Sequence, residues 1–165
     1  MSLVLDVLDL ARWAPSGDNS QPWRFEIVGD DHVRVHAFDT RRDCVYDLEG
    51  HASQLSVGAL LETIRIAAAA HGHVTSIVRR REAPVEAPVF DVRFEPTAEP
   101  SRDDLHRAIR DRSVMRKPLS TRSLSASDKQ RLESAVGEGH RVLWFESAPE
   151  RLRLAWLAVK NAKIR

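Results

Sequence analysis

The sequence predicts an α+β fold in which a mixed or antiparallel sheet packs around one long apolar helix. Apolar residues recur at helical spacing near the N-terminus and again from His51 to Ala70, whereas several short segments alternate apolar and polar residues as strands do. With 165 residues, the chain can bury a sizeable core but is short for two independent domains. We therefore expect a single domain over residues 1–165.

Local signals place the remaining elements. Ser2 precedes the first helix as its N-cap, and that helix must end before Pro15. Serine and acidic residues at capping-box spacing predict three later helices, which begin near Ser101–Asp104, Ser125–Asp128 and Ser147–Glu150. The predicted strands cover residues 23–27, 33–37, 74–78, 90–94 and 142–145, and the first two form a hairpin.

The long helix is apolar on nearly every side. Such a helix is either enclosed in a core or shared with a second subunit, and in so short a chain we favour a homodimer through the Ser53–Ala70 helix. Gly58 and the alanines would let another helix approach closely, and Gly72 is placed to end the helix in a left-handed conformation. Enclosure within one subunit is the alternative.

Composition excludes several classes of protein. Twenty-five basic and twenty-four acidic residues give a net charge of +1, which does not favour a nucleic-acid partner. One cysteine, Cys44, allows no internal disulfide, and neither a signal peptide nor a membrane-spanning run is evident. We expect a cytoplasmic protein without a membrane partner.

Common catalytic and metal motifs are missing from the sequence. It contains no Gly-x-Ser-x-Gly, His-Glu-x-x-His, Gly-x-Gly-x-x-Gly or phosphate-binding loop with Gly-Lys-Ser/Thr. His32 and His36 point to the same side of a predicted strand, but they are too far apart for comfortable joint coordination of one ion. We predict no metal site and assign no catalytic residue.

Two polar segments could bind a ligand. The first, residues 14–25, places serine, aspartate, asparagine and glutamine between two prolines, a composition typical of turns that can also hold a flat polar ligand. The second, residues 110–118, contains three arginines, a lysine and a serine that could chelate a phosphate. A solvated charged surface is the alternative for the second segment.

The first segment, APSGDNSQPWRF, resembles the Ala-Pro-Ser-x-x-Asn-x-Gln-Pro-Trp-x-Phe signature of the flavin-dependent nitroreductase family. Residues 112–118, RSVMRKP, are similar to the Arg-Ser-x-Arg phosphate-binding segment of that family, with one extra residue before the second arginine. Residues 54–62 resemble the central helix through which family members pair as dimers.

This resemblance implies an FMN-binding oxidoreductase with a nitroreductase-like fold. Family members pass hydride from NADH or NADPH through flavin N5 to a nitroaromatic, a quinone or a similar small-molecule acceptor. The cofactor-binding residues carried over from the family are Pro15, Ser16, Asn19 and Gln21 at the isoalloxazine, and Arg112, Ser113 and Arg116 at the phosphate.

The order of the two motifs differs from that of the commonest family members, in which the Arg-Ser segment comes first. This order resembles members built from two fused halves, so we expect the chain to be an N-terminal portion of such a protein. Some of those members are suspected of sequestering flavin. A flavin-binding protein without turnover, or a flavin-free fragment that dimerises, is therefore an alternative to the enzyme.

Overall fold

A computed structural model describes residues 2–45, 47, 49–98, 104–115, 117–118, 120, 122–137 and 139–162. The chain divides into two compact units, Met1–Ser113 and Val114–Arg165. The larger unit contains three helices, α1 (Leu3–Ala11), α2 (His51–Ala70) and α3 (Leu105–Asp111), and four strands, β1 (Trp23–Gly29), β2 (His32–Ala37), β3 (His73–Arg79) and β4 (Val89–Pro96).

The strands form one antiparallel sheet in the order β1-β2-β4-β3. Val33, Val35 and Val92 are buried on one face and join a core with residues of α1, α2 and α3. The other face carries charged residues, as expected for an antiparallel sheet with one solvated side. This arrangement confirms the predicted α+β class.

Ser2 is the N-cap of α1, as predicted, because its side chain accepts a hydrogen bond from Leu5 N. Helix α2 buries one side, including Leu60 and Ile64, and leaves Leu55 76% exposed. Gly72 follows α2 with φ +72°, the left-handed conformation predicted for it. The long helix therefore has an apolar but uncovered strip on its outer side.

A buried carboxylate holds the start of α2, and the sequence patterns did not reveal it. Asp47 is 1% exposed and accepts hydrogen bonds from Thr40 N, Thr40 Oγ1, Ala52 N and Ser53 Oγ. Burial would raise the pKa of Asp47, but the hydrogen bonds from Ser53 and Thr40 outweigh it and the pKa lies below its ordinary value.

The smaller unit contains α4 (Ala126–Ala135) and α5 (Ala148–Ala162). The Ser125–Asp128 capping box of α4 is confirmed, and Ser147 and Glu150 cap α5 in the same reciprocal way. For α3, Asp104 is the N-cap residue without a side-chain cap bond, and Ser101 lies outside the described residues. The predicted strand at 142–145 is wrong, because no described segment pairs with it.

Among the described residues, no helix is long and apolar enough to cross a bilayer. The organisation of the whole chain as a single domain stays a prediction.

Candidate functional site

The segment that resembles the family signature connects α1 to β1 as a tightly fastened loop. Ala14 is buried at its start, and Pro22 and Trp23 are buried at its end. Between these anchors the chain makes a short 3-10 turn, Gly17–Asn19, closed by hydrogen bonds from Asn19 N to Ser16 O and from Ser20 N to Gly17 O. The polar residues are therefore presented from a fixed base.

The backbone of this loop is strained. Asp18, Asn19 and Gln21 have φ values of 47°, 57° and 46°, in a left-handed region that residues other than glycine seldom adopt. The Gln21 backbone N–H donates to Ser16 Oγ at 3.0 Å, so the Ser16 hydroxyl helps to hold the loop. Strain of this kind persists where surrounding contacts impose it, and such places are commonly binding sites.

Ser56 of α2 holds the loop in place through a hydrogen bond. Its Oγ accepts a hydrogen bond from Gly17 N at 3.4 Å and donates one to Ala52 O at 2.8 Å. We did not predict this residue as part of the site. Its position on the buried stripe of an otherwise apolar helix was the available signal, because buried hydroxyls have hydrogen-bond partners.

The C-terminal end of α1 brings together one residue from each of the two segments predicted to bind a ligand. Helices leave their last carbonyl groups without partners in the helix. Here Gln21 Nε2 donates to Arg12 O at 2.9 Å, and Arg112 Nη2 donates to Trp13 O at 2.6 Å. The second bond joins residues 99 positions apart in the sequence. Both side chains thus bind carbonyl groups of the two residues that follow α1.

A cavity of about 270 Å³ opens at this meeting point. Its lining consists of Arg12, Trp13, Ala14, Asn19, Gln21 and Arg112. The lining contains two guanidinium groups and two amides but no carboxylate. The Asn19 side chain is exposed and makes no hydrogen bond with any described residue, so its amide is available to a ligand.

Three of the seven predicted cofactor residues, Asn19, Gln21 and Arg112, therefore line one cavity. Pro15 and Ser16 belong to the same loop but do not line the cavity. Ser113 is exposed and also does not line it, and Arg116 lies outside the described residues. Arg12 and Trp13 are additional lining residues that we did not predict.

Two histidines of the sheet lie within hydrogen-bond distance of acidic side chains. His32 Nε2 lies 2.9 Å from Asp91 Oδ1, and His36 Nε2 lies 2.7 Å from Glu26 Oε2. In the part of the chain that the structure describes, no group of three histidine, cysteine or acidic residues could hold a metal ion.

Comparison with known proteins identifies the family of the chain. The profile of the nitroreductase family matches residues 2–88, which include α1, the loop, the β1–β2 hairpin and α2. Two uncharacterized proteins of Mycobacterium tuberculosis, from strains CDC 1551 / Oshkosh and ATCC 25618 / H37Rv, are each 31% identical to the chain over 150 residues. The match covers 88% of this chain and 44% of each relative, so the chain spans less than half their length. Because the family profile covers more than half of its residues, the chain belongs to the nitroreductase family.

Proposed function

We propose that this chain binds FMN at the cavity formed by Asn19, Gln21 and Arg112 and works as an FMN-dependent oxidoreductase. Membership of the nitroreductase family supports flavin-dependent oxidoreductase chemistry in general. The observation that carries the proposal is the meeting of two amides and an arginine in one cavity without a carboxylate. The proposed reaction passes hydride from NADH or NADPH to a nitroaromatic, a quinone or a similar acceptor.

The residues present fit the flavin. The uracil-like edge of the isoalloxazine alternates carbonyl acceptors with an N–H donor, and an amide side chain offers the complement of each. Asn19 keeps its whole amide free for this purpose. Gln21 has used one N–H on Arg12 O and retains its oxygen and a second N–H.

Flavin, when bound, supplies the hydride-accepting and electron-transferring chemistry. The protein residues position and polarise it. The strained 14–22 loop, fastened by Ser16 and Ser56, holds the amides in place before the ligand arrives. Such preorganisation reduces the entropic cost of binding. Arg112 gives the cavity a positive charge, since Arg12 is paired with Asp9.

We also propose that the protein works as a homodimer through the Ser53–Ala70 helix. The strip of α2 that carries Gln54, Leu55 and Gly58 is uncovered in the described chain and lines a shallow depression. Ser56, on the same helix, is hydrogen-bonded to the loop. A partner seated on this strip would lie next to the element that supports the site and could complete it.

The visible absorption spectrum of the purified chain, incubated with FMN and then desalted, tests the proposal. Retained yellow colour, with oxidised-flavin absorbance bands, is the expected result. Asn19→Ala should lower the amount retained, whereas Asn161→Ala, on exposed α5, should not. A protein that stays colourless after incubation contradicts both flavin binding and the enzyme.

A flavin-binding protein without turnover is the second candidate. The cavity volume favours it, because about 270 Å³ lies just below the roughly 300–1,000 Å³ typical of small-molecule sites. Steady-state oxidation of NADH or NADPH in the presence of a nitroaromatic or quinone distinguishes the oxidoreductase from the flavin-binding protein without turnover. Turnover favours the oxidoreductase, and bound but inert FMN favours the second candidate.

A further inference from the structure

We propose that Arg112 acts on the ring of the flavin and not on its phosphate, the role that the family resemblance implies. This inference rests on the proposed function, since it concerns the same ligand at the same cavity. It changes the predicted role of Arg112 and makes this side chain the source of the positive charge beside the ring.

The contacts of Gln21 and Arg112 support the ring assignment. Gln21 Nε2 donates to Arg12 O, and Arg112 Nη2 donates to Trp13 O, the carbonyl group of the next residue. Since consecutive Cα atoms are about 3.8 Å apart, the guanidinium lies beside the Gln21 amide. Both side chains line one cavity with Asn19. Arg112 and the two amides are therefore placed to face the same part of the ligand.

The position of Arg112 is set by the fold. Its guanidinium donates to Trp13 O, and its backbone N–H donates to Ala108 O at the end of α3. Helix α3 is in turn anchored by Ile109, which is buried in the core. The guanidinium is therefore held at the loop by contacts at both ends of the side chain, beside the amides that would bind the ring edge.

Charge balance distinguishes Arg112 from its neighbours. Arg12 pairs with Asp9 at 2.9 Å, and Arg110 also pairs with Asp9. Arg112 has no carboxylate partner among the described residues. It is thus the uncompensated cation of this cavity, and a cation beside the carbonyl edge favours the more electron-rich, reduced state of the ring.

Comparison of FMN with riboflavin, which lacks the phosphate, tests this assignment. Flavin fluorescence titration gives the Kd of both ligands for wild type, Arg112→Ala and Arg112→Lys. We expect Arg112→Ala to weaken both ligands by about tenfold or more, with the ratio of their affinities unchanged, because a charge-assisted hydrogen bond to the shared ring is lost. A loss confined to FMN overturns the ring assignment and leaves the proposed function standing.

The reduction midpoint of bound riboflavin provides a second readout that does not depend on turnover. It should become more negative in Arg112→Ala, and Arg112→Lys, which keeps the charge, should restore most of the wild-type value. Arg107→Ala, in α3 and 72% exposed, is the matched control and should change neither readout. An unchanged midpoint in Arg112→Ala overturns the inference. Failure of wild type to bind either flavin overturns the proposed function as well.

Discussion

The side-chain amide of Gln21 donates to the main-chain oxygen of Arg12 across 2.9 Å, so a residue predicted to bind flavin also closes the end of α1. Gln21 makes this contact from a backbone with φ 46°. Ligand contact and loop stability thus depend on one amide, and a change at Gln21 should affect both.

Gln21→Ala should lower the free energy of unfolding by about 1 kcal/mol, the typical contribution of one hydrogen bond, and should also weaken FMN binding. Urea denaturation and fluorescence titration measure the two effects. Gln21→Glu should be at least as destabilising, because an ionised carboxylate cannot donate to Arg12 O. Gln130→Ala, at an exposed position of α4, is the control. Unchanged stability in both Gln21 variants would contradict the capping role.

Local chemistry explains why much of the fold could be predicted. The Ser2 cap, the β1–β2 turn and the left-handed Gly72 depend on residues a few positions apart, and all three are found in the structure. The predicted strand at 142–145 failed for the opposite reason. A short apolar run shows that a segment can pair in a sheet, but a strand also needs a neighbour, which the run itself cannot reveal.

The site was only partly predictable. The family resemblance led to Asn19, Gln21 and Arg112, and the structure brings them to one cavity. It could not show that the Gln21 and Arg112 side chains both close the end of α1, because these contacts depend on the tertiary path of the chain. Asp47 was missed for a similar reason, since its four donors are assembled only when the 40–53 segment folds back on itself.

Removal of the Asp47 carboxylate should be costly. Asp47→Ala leaves Thr40 and Ser53 without their buried acceptor and removes the cap of α2, so we expect a loss of about 2–4 kcal/mol in the free energy of unfolding. Chemical denaturation measures it. Asp43→Ala, in the same connection but exposed, should change stability by less than about 0.5 kcal/mol. Equal effects of the two substitutions would show that the buried network is not what stabilises the start of α2.

Asp91 should make stability depend on pH in acid. The hydrogen bond from Arg80 lowers the pKa of Asp91 to about 2 despite partial burial, with help from His32 and Arg34. Because the folded-state pKa lies below the unfolded value, the stabilisation is fully present above about pH 4 and is lost as the pH falls towards 2. Since the side chain is 21% exposed, we expect a contribution of about 1–2 kcal/mol, less than the full shift implies.

Denaturant unfolding between pH 2 and pH 5 checks this prediction. Asp91→Asn should flatten the acid limb of the stability profile, although the lowered pKa of Asp47 leaves some slope. Asp30→Asn, in the exposed β1–β2 turn, should keep the wild-type profile. If the acid limb of Asp91→Asn is as steep as that of wild type, the Arg80–Asp91 pair is not the source of the dependence.

Gly58 provides the sharpest test of the proposed dimer. A Cβ at Gly58 would meet no atom within 4 Å, so substitution should not disturb the subunit itself. Either alanine or leucine should also favour the helix by roughly 0.5–1 kcal/mol relative to glycine. Only leucine is large enough to hold a second helix away, because close helix packing depends on the side chains at the contact. Sedimentation should therefore find wild type and Gly58→Ala as dimers and Gly58→Leu as a folded monomer. A monomeric wild type, or a Gly58→Leu protein that associates as strongly as wild type, would place any partner on another surface.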